Sequence, residues 1–175
     1  MRKLKLTELN RLSVEAYKAK EKLPVLLVMD NIRSGLNIGS AFRIADCFGI
    51  EGLLLCGISQ QPPHREIMRS AIGAEHAVDW TYEADIVQAL TQLKAKGYKL
   101  VGVEQTTDSI LINEFEWDGT QPIALVMGNE VKGVSDEALP LLDACIEIPQ
   151  AGTKHSLNVA VCTGIVVYEM IRRIS

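Results

Sequence analysis

Short runs of apolar residues recur along the chain, and most of them do not alternate with polar residues. They lie at residues 25–29, 52–56, 98–103, 122–127 and 145–148, and a further short strand is predicted at 77–80. A strand that is apolar on both sides is typical of a parallel sheet with both faces covered. These runs therefore predict strands of a largely parallel sheet.

The segments between these runs carry apolar residues at helical spacing. Ile38, Ala41, Phe42, Ala45 and Phe48 form one stripe of a helix that begins near residue 38. Further helices are predicted at 65–71, at 85–97, from residue 135 to a break at Pro140, and after residue 156. Strand and helix alternate, so the expected class is α/β with a mostly parallel sheet and helices on both faces.

The N-terminal segment has a different pattern from the rest of the chain. Leu9, Leu12 and Ala16 recur at helical spacing among charged residues between positions 7 and 21. We therefore expect a helical extension over residues 1–22, followed by one domain, with the chain of 175 residues forming a single unit.

Three polar, glycine-bearing turns follow apolar runs. One contains Asn37 and leads to Arg43, the second contains Gly128 and Glu130, and the third joins residue 148 to the last helix. Loops at the carboxyl ends of parallel strands form the ligand crevice of open α/β sheets. The polar residues of all three turns are therefore candidates for one site, although each alone could serve as a helix cap or an exposed turn residue.

Composition narrows the possible partners. The net charge is −4, which does not favour a general nucleic-acid coat protein, so an RNA partner would need a local basic patch. The four cysteines and three histidines are scattered, which favours free thiols and no metal site. No apolar run approaches the roughly 20 residues of a membrane span, and no signal segment follows the basic N-terminus, so we expect a cytoplasmic protein.

Common phosphate-binding and hydrolase motifs are missing. The sequence has no G-x-G-x-x-G before a helix, no G-x-x-x-x-G-K-[ST] and no G-x-S-x-G. A nucleotide-binding enzyme of another kind is therefore a weak alternative.

Three segments together resemble the signature motifs of the SpoU family, the 2′-O-ribose RNA methyltransferases of the SPOUT superfamily. They are NIGSAFR at 37–43, MGNEVKG at 127–133, and IP at 148–149 followed by SLNV at 156–159. Residues 66–75 also resemble the segment that lies between the first two motifs of the family. The resemblance extends over nearly the whole chain from about residue 23, and the three motifs in order make it specific.

This resemblance implies a fold, a cofactor and an assembly. The C-terminal part would form a deep trefoil knot, which no pattern of apolar residues could suggest. S-adenosylmethionine would be held in the knotted loops, and the protein would act as a homodimer with its site close to the interface. By motif position, the cofactor contacts would come from Val103, Gly128, Ile148, Ser156 and Leu157.

The resemblance also assigns catalytic roles, to Arg43, Asn37, Glu130, Ser156 and Asn158. Arg43 would activate the ribose 2′-hydroxyl of tRNA or rRNA. Because a guanidinium rarely loses its proton, we interpret Arg43 as a cation that stabilises the developing alkoxide and grips a neighbouring phosphate. Glu130 would orient Arg43 or the ribose, Asn37 and Asn158 would fix that network, and Ser156 would link it to the cofactor loop.

Cationic residues in the loops around the motifs could form the basic patch that RNA requires. The candidates are Arg33, Arg43, Arg65, Arg69, Lys132 and Lys154, with His64 and His155 nearby. Any single one of them could equally be a solvated surface charge. The main alternative to an enzyme is an RNA-binding or assembly protein that keeps the fold without turnover, although such a protein has no need for the polar set of the three motifs.

Overall fold

The computed structural model describes residues 1–9 and 11–174, and its centre is a seven-stranded parallel sheet. The strands are β1 Leu23–Asp30, β2 Ile50–Cys56, β3 Asp79–Glu83, β4 Lys99–Val103, β5 Ile110–Leu111, β6 Ile123–Met127 and β7 Ala144–Glu147. The helices are α1 Val14–Ala19, α2 Gly35–Phe48, α3 Arg65–Ala71, α4 Ala74–Ala77, α5 Ile86–Ala95 and α6 Val159–Ile174. The strand order is β3-β2-β1-β6-β4-β7-β5, with every pair parallel. The predicted α/β class is confirmed.

Successive residues of the central strands supply two separate cores. Val25, Leu27 and Met29 of β1 point to the side where α2 and α6 pack, while Val28 points to the side covered by α5. Strand β6 is buried along its whole length. The apolar runs in the sequence are unbroken because helices cover both faces of the sheet, as predicted.

The N-terminal extension differs from the predicted continuous helix. A 3₁₀ turn at Leu6–Glu8 precedes α1, and the Ser13 hydroxyl accepts the N–H of Ala16 at 3.2 Å, so a new helix starts there. Leu12 and Ala16 are exposed, and Tyr17 is the buried residue of α1. The predicted stripe was wrong because it required one helix across both segments.

Two other predicted elements differ from the structure, one in its bounds and one in its type. The strand expected at 77–80 begins at Asp79, because Ala77 closes α4. Between Ser135 and β7 the chain forms a 3₁₀ turn at Leu139–Leu141 in place of the predicted α-helix. The N–H and the hydroxyl of Ser135 both bind the carboxylate of Asp30, at 2.7 and 3.0 Å. Tertiary hydrogen bonds and Pro140 outweigh the local preference of this segment for helix.

Helix α2 begins at Gly35, one turn before the predicted start, because the Ser34 hydroxyl accepts the N–H of Asn37. Gly39 lies inside this helix and lets α3 approach. A Cβ at Gly39 would lie 2.1 Å from the Ser70 hydroxyl and 2.4 Å from the carbonyl oxygen of Ile67. The first motif therefore contributes packing as well as polar groups.

Replacing Gly39 should destabilise the protein although alanine favours helix more than glycine does. We expect Gly39→Ala to lower the free energy of unfolding by roughly 1–3 kcal/mol, since the added methyl overlaps the backbone of α3. Urea unfolding measures this change. Gly164 is the matched control: it also lies inside a helix, but its Cβ would be 3.7 Å from Ile44, so Gly164→Ala should be neutral or stabilising by up to about 1 kcal/mol. Equal effects at both positions would contradict the packing role of Gly39.

Candidate active site

The loops that follow β4, β6 and β7 meet at one edge of the sheet and enclose a cavity of about 570 Å³. This volume lies in the range of roughly 300–1,000 Å³ that is usual for small-molecule sites. All five residues that the sequence predicted as cofactor contacts line this cavity: Val103, Gly128, Ile148, Ser156 and Leu157. Residues far apart in the chain thus form one concave surface.

The backbone is tightly packed at Gly128, the first residue after β6. A Cβ at this position would lie 2.2 Å from the carbonyl carbon of Gly133 and 2.2 Å from the nitrogen of Val134. The loop 128–134 therefore closes back on its own start, and the N–H and carbonyl groups of Asn129 and Gly133 bond to each other at 2.8 and 2.9 Å. Only glycine fits at Gly128 without moving this loop.

The Glu130 carboxylate joins the second motif to the first. One oxygen accepts the backbone N–H of Arg33 at 3.1 Å, and the other accepts the N–H of Ser34 at 3.1 Å and the side-chain amide of Asn37 at 2.9 Å. These donors lie at the start of α2, where free N–H groups and the helix dipole favour a negative charge.

The hydrogen bonds keep Glu130 ionised. Partial burial by itself would raise the pKa of Glu130, but hydrogen bonds from the Asn37 amide and from the backbone N–H groups of Glu130, Arg33 and Ser34 outweigh it, so the net pKa is lowered. The group is therefore a carboxylate, an acceptor with no proton to donate, at neutral pH.

The third motif completes this network through Asn158. Its amide nitrogen donates to the side-chain oxygen of Asn37 at 3.3 Å, and its own oxygen caps α6 by accepting the N–H groups of Ala160 and Val161. Asn158 therefore caps α6 and also joins the third motif to Asn37 of the first. Ser156 is exposed and lines the cavity two residues earlier.

Arg43 does not join this cluster. Its side chain is exposed and makes no hydrogen bond or ion pair with any residue in the described ranges. The carboxylate of Glu130 binds Arg33, Ser34 and Asn37. Of the two expected roles of Glu130, orienting Arg43 or orienting the ribose, the contact with Arg43 is not formed within the described residues. The reason is geometric. Arg43 follows Asn37 by six residues, and six residues of α-helix correspond to a rotation of about 240° beyond one full turn. The two side chains therefore leave α2 in different directions.

The other predicted RNA-binding cations are solvent-exposed. These residues are Arg33, Arg65, Arg69, Lys132 and Lys154. Lys132 and His155 line the cavity itself. None of the five cationic side chains pairs with a carboxylate in the described part of the chain, so all of them are available to an external anion.

Sequence reasoning missed Glu104, the first residue after β4. Its carboxylate accepts the N–H of Val134 at 2.9 Å and the N–H of Gln105 at 2.9 Å, and it lines the cavity. Gly133 has a positive φ of 74°, and a Cβ there would lie 2.1 Å from the Glu104 carboxylate. An acidic residue directly after a buried strand was the signal that could have identified it.

Asn129 and Asp30 were also missed, and both fix the second-motif loop. The Asn129 amide donates to the carbonyl of Asn31 at 2.6 Å, while its oxygen accepts the N–H groups of Val131 and Lys132. Asp30 is fully buried, and it holds Ser135 at the other end of the loop. These contacts attach the loop to the end of β1.

Residues 1–9 and 11–174 contain neither a metal-binding cluster nor a membrane-spanning helix. No group of three or more His, Cys, Asp and Glu side chains there could hold a metal ion. No helix there is both long and apolar enough to cross a bilayer.

Comparison with known sequences gives a family match. The profile of the SpoU rRNA Methylase family matches residues 24–168. The chain is 30% identical over 155 residues to the 23S rRNA (guanosine-2'-O-)-methyltransferase RlmB of Shewanella oneidensis, covering 89% of this chain and 62% of that protein. It is also 30% identical over 157 residues to the tRNA (guanosine(18)-2'-O)-methyltransferase of Aquifex aeolicus, covering 88% of this chain and 72% of that protein.

Solved structures give the same result. The AdoMet-bound rRNA methyltransferase from Sinorhizobium meliloti superposes with a TM-score of 0.81 at 28% identity, covering 94% of this chain and 62% of that one. The TrmH/SpoU tRNA-modifying enzyme of A. aeolicus superposes with a TM-score of 0.79 at 29% identity, covering 91% of this chain and 79% of that one.

The chain spans less than two thirds of the length of several of these relatives, such as the Shewanella protein, of which it covers 62%. The match nevertheless includes all three motifs and the cavity that the second and third motifs line. With its profile match, its sequence relatives and its fold in agreement, this chain belongs to the SpoU methylase family.

Proposed function

We propose that this protein transfers a methyl group from S-adenosylmethionine to a ribose 2′-hydroxyl of tRNA or rRNA. The observation that carries the proposal is the hydrogen-bonded set Glu130–Asn37–Asn158, which unites the three motifs beside the cavity. Relatives whose names specify 2'-O-methylation of 23S rRNA or tRNA support the reaction class. Residues from about 23 onward would form one methyltransferase domain acting in the cytoplasm, with residues 1–22 as its extension.

The cavity fits the proposed cofactor by chemistry as well as by size. Apolar side chains suited to an adenine ring line it, among them Met127, Ile146 and Leu157, and the carboxylates of Glu104, Glu130 and Glu147 surround it with negative charge suited to a cation. When bound, S-adenosylmethionine would supply an electrophilic methyl group on its positively charged sulfur. A related rRNA methyltransferase structure is described as AdoMet-bound.

The protein's own residues would position the acceptor and share its charge. In-line displacement depends strongly on alignment, so the fixed motif loops contribute by holding both reactants. Arg43 is exposed and unpaired, so its guanidinium is free to grip an RNA phosphate and to stabilise the developing alkoxide, with the proton passing to phosphate or water. Ser156 would connect this acceptor site to the cofactor.

We further propose a homodimer and a knotted C-terminal part. Leu157, Val161, Ile165 and Tyr168 are exposed apolar residues three or four positions apart around α6, and such a row is expected to be covered by a second subunit. For the knot, the supporting features are family membership and the strand order, which places β6 between β1 and β4 and β7 on the far side of β4.

A non-catalytic RNA-binding protein with the same fold is the alternative. It would need exposed cations but no carboxylate–amide network joined to a cavity. Transfer of tritium from labelled S-adenosylmethionine to total RNA separates the two: incorporation at ribose 2′-oxygens is expected, and RNA binding without incorporation would favour the alternative.

Arg43→Ala should separate cofactor binding from methyl transfer. Because Arg43 is not part of the cavity lining, calorimetric affinity for S-adenosylmethionine should change less than twofold, while the transfer rate falls by roughly 10²–10³ through loss of charge stabilisation. Lys96→Ala, which removes an exposed cation on the opposite face, is the control and should retain full activity. Full activity of Arg43→Ala would remove Arg43 from the mechanism.

Gly128→Val should weaken cofactor binding. The side chain has no space against the backbone at Gly133 and Val134, so the loop 128–134 must move, and we expect the affinity measured by calorimetry to fall by about tenfold or more. Gly152→Val is the matched control, because a Cβ at Gly152 meets no atom within 4 Å. Unchanged binding in Gly128→Val would place the cofactor elsewhere.

Glu130→Gln should change the dependence of stability on pH. The folded-state pKa of Glu130 is lowered from its ordinary value of 4.5, so its contribution is fully present above pH 4.5 and is lost as the pH falls through the folded value. The variant should therefore be less stable than the parent by roughly 1 kcal/mol at pH 7, because these bonds are partly solvent-exposed, and the difference should shrink below pH 4.5. Chemical denaturation at pH 7 and at acid pH measures both values. A stability difference that does not depend on pH would contradict the role of Glu130 as an ionised hydrogen-bond acceptor.

A further inference from the structure

Charge is distributed unevenly between the N-terminal extension and the rest of the protein. Residues 1–22, here called the N-terminal arm, contain seven basic and three acidic residues, a net charge of +4. The remaining 153 residues contain 11 basic and 19 acidic residues, a net charge of −8. The family profile begins at residue 24, so the arm lies outside the part of the chain that defines the family.

Most cations of the arm are free to bind an external anion. Lys3, Lys5, Arg11, Lys18 and Lys20 are exposed, and none of their side chains forms an ion pair within the described residues. The other two have internal roles. Arg2 pairs with Glu8 at 2.7 Å, and Lys22 bonds to the carbonyl of Tyr17 and lies over its ring.

The arm is attached to the protein at the far end of α2 from the Glu130 cluster. Tyr17 is buried, and its hydroxyl donates to the carbonyl of Ala45 near the end of α2, while Leu23 N–H donates to the carbonyl of Gly49. The Glu130 cluster lies at the other end, at Ser34 and Asn37. Because α2 has 14 residues, the two ends are about 21 Å apart.

We propose that the N-terminal arm is a docking surface for the RNA backbone, at the end of α2 opposite the Glu130 cluster. This inference rests on the proposed RNA substrate. An acidic protein repels a polyanion, and a fixed basic segment overcomes that repulsion locally by neutralising phosphates and releasing counterions. The arm fits RNA better than a membrane because α1 has only six residues, too few to present a continuous apolar face to lipid.

The arm should therefore affect binding of RNA and leave the chemical step unchanged. The test variant carries Lys3→Gln, Lys5→Gln, Arg11→Gln, Lys18→Gln and Lys20→Gln, which leaves Tyr17, Lys22 and the Arg2–Glu8 pair in place. For methylation of total RNA we expect KM to rise roughly tenfold or more at low salt with kcat unchanged. In filter binding to unfractionated tRNA, the slope of log affinity against log salt should fall by about 1 for each arm cation in contact.

Two controls isolate charge from structure. Exchanging the same five residues between lysine and arginine keeps the charge and should keep KM and the salt slope. Lys96→Gln removes one exposed cation outside the arm and should change neither. Circular dichroism and calorimetric affinity for S-adenosylmethionine should match the parent in all variants, because these side chains lie outside the core and the cavity.

The outcomes are distinguishable from failure of the proposed function. If the parent protein binds tRNA but methylates no RNA, the proposed methyltransferase activity is refuted. The salt dependence of tRNA binding would still test whether the arm contacts the RNA backbone. Unchanged KM and salt slope in the five-residue variant would overturn the arm inference alone. A five-residue variant that keeps its RNA affinity but no longer binds vesicles of phosphatidylcholine with about 30% phosphatidylserine, which carry a negative surface potential, would also overturn it.

Discussion

The site depends on one carboxylate that is bound from three directions. Glu130 accepts hydrogen bonds from Arg33, Ser34 and Asn37, and so fixes the loop after β6 to the first turn of α2. The side-chain oxygen of Asn37 in turn accepts a hydrogen bond from Asn158 at the start of α6. Each group would serve adequately as a cap or an exposed polar residue, but together they determine how two helices and one loop are arranged around the cavity.

Carboxylates also accept backbone N–H groups at the ends of the neighbouring strands. Asp30, the last residue of β1, binds Ser135, and Glu104, the first residue after β4, binds Val134. Two carboxylates that accept backbone N–H groups therefore hold the C-terminal end of the loop after β6. Such charge-assisted bonds are stronger than those between neutral groups. They also make the loop rigid where it lines the cavity, which suits a reaction that gains mainly from alignment.

Sequence patterns predicted the sheet well and the local details less well. The runs of β1, β2, β4 and β6 were readable because burial on both faces leaves polar residues only near the ends of these strands. The segment after Ser135 was wrongly predicted as a helix because its conformation depends on hydrogen bonds to Asp30, 105 residues earlier in the chain. The extension was misjudged because Ser13 starts a new helix inside an apparently periodic segment. Residues of the cavity were located through the family motifs, whereas Glu104 and Asn129 carry no periodic signal.

The arrangement also accounts for how an acidic protein could act on the proposed RNA substrate. Three carboxylates line the cavity and suit the proposed cationic cofactor, while most of the exposed cations lie in the loops around the cavity and on the arm. A double-mutant cycle between Glu130→Gln and Asn37→Ala, measured by urea unfolding at pH 7, tests most directly whether this carboxylate organises the site. The account predicts a coupling of roughly 1 kcal/mol between the two substitutions. Additive effects, within about 0.3 kcal/mol, would contradict it.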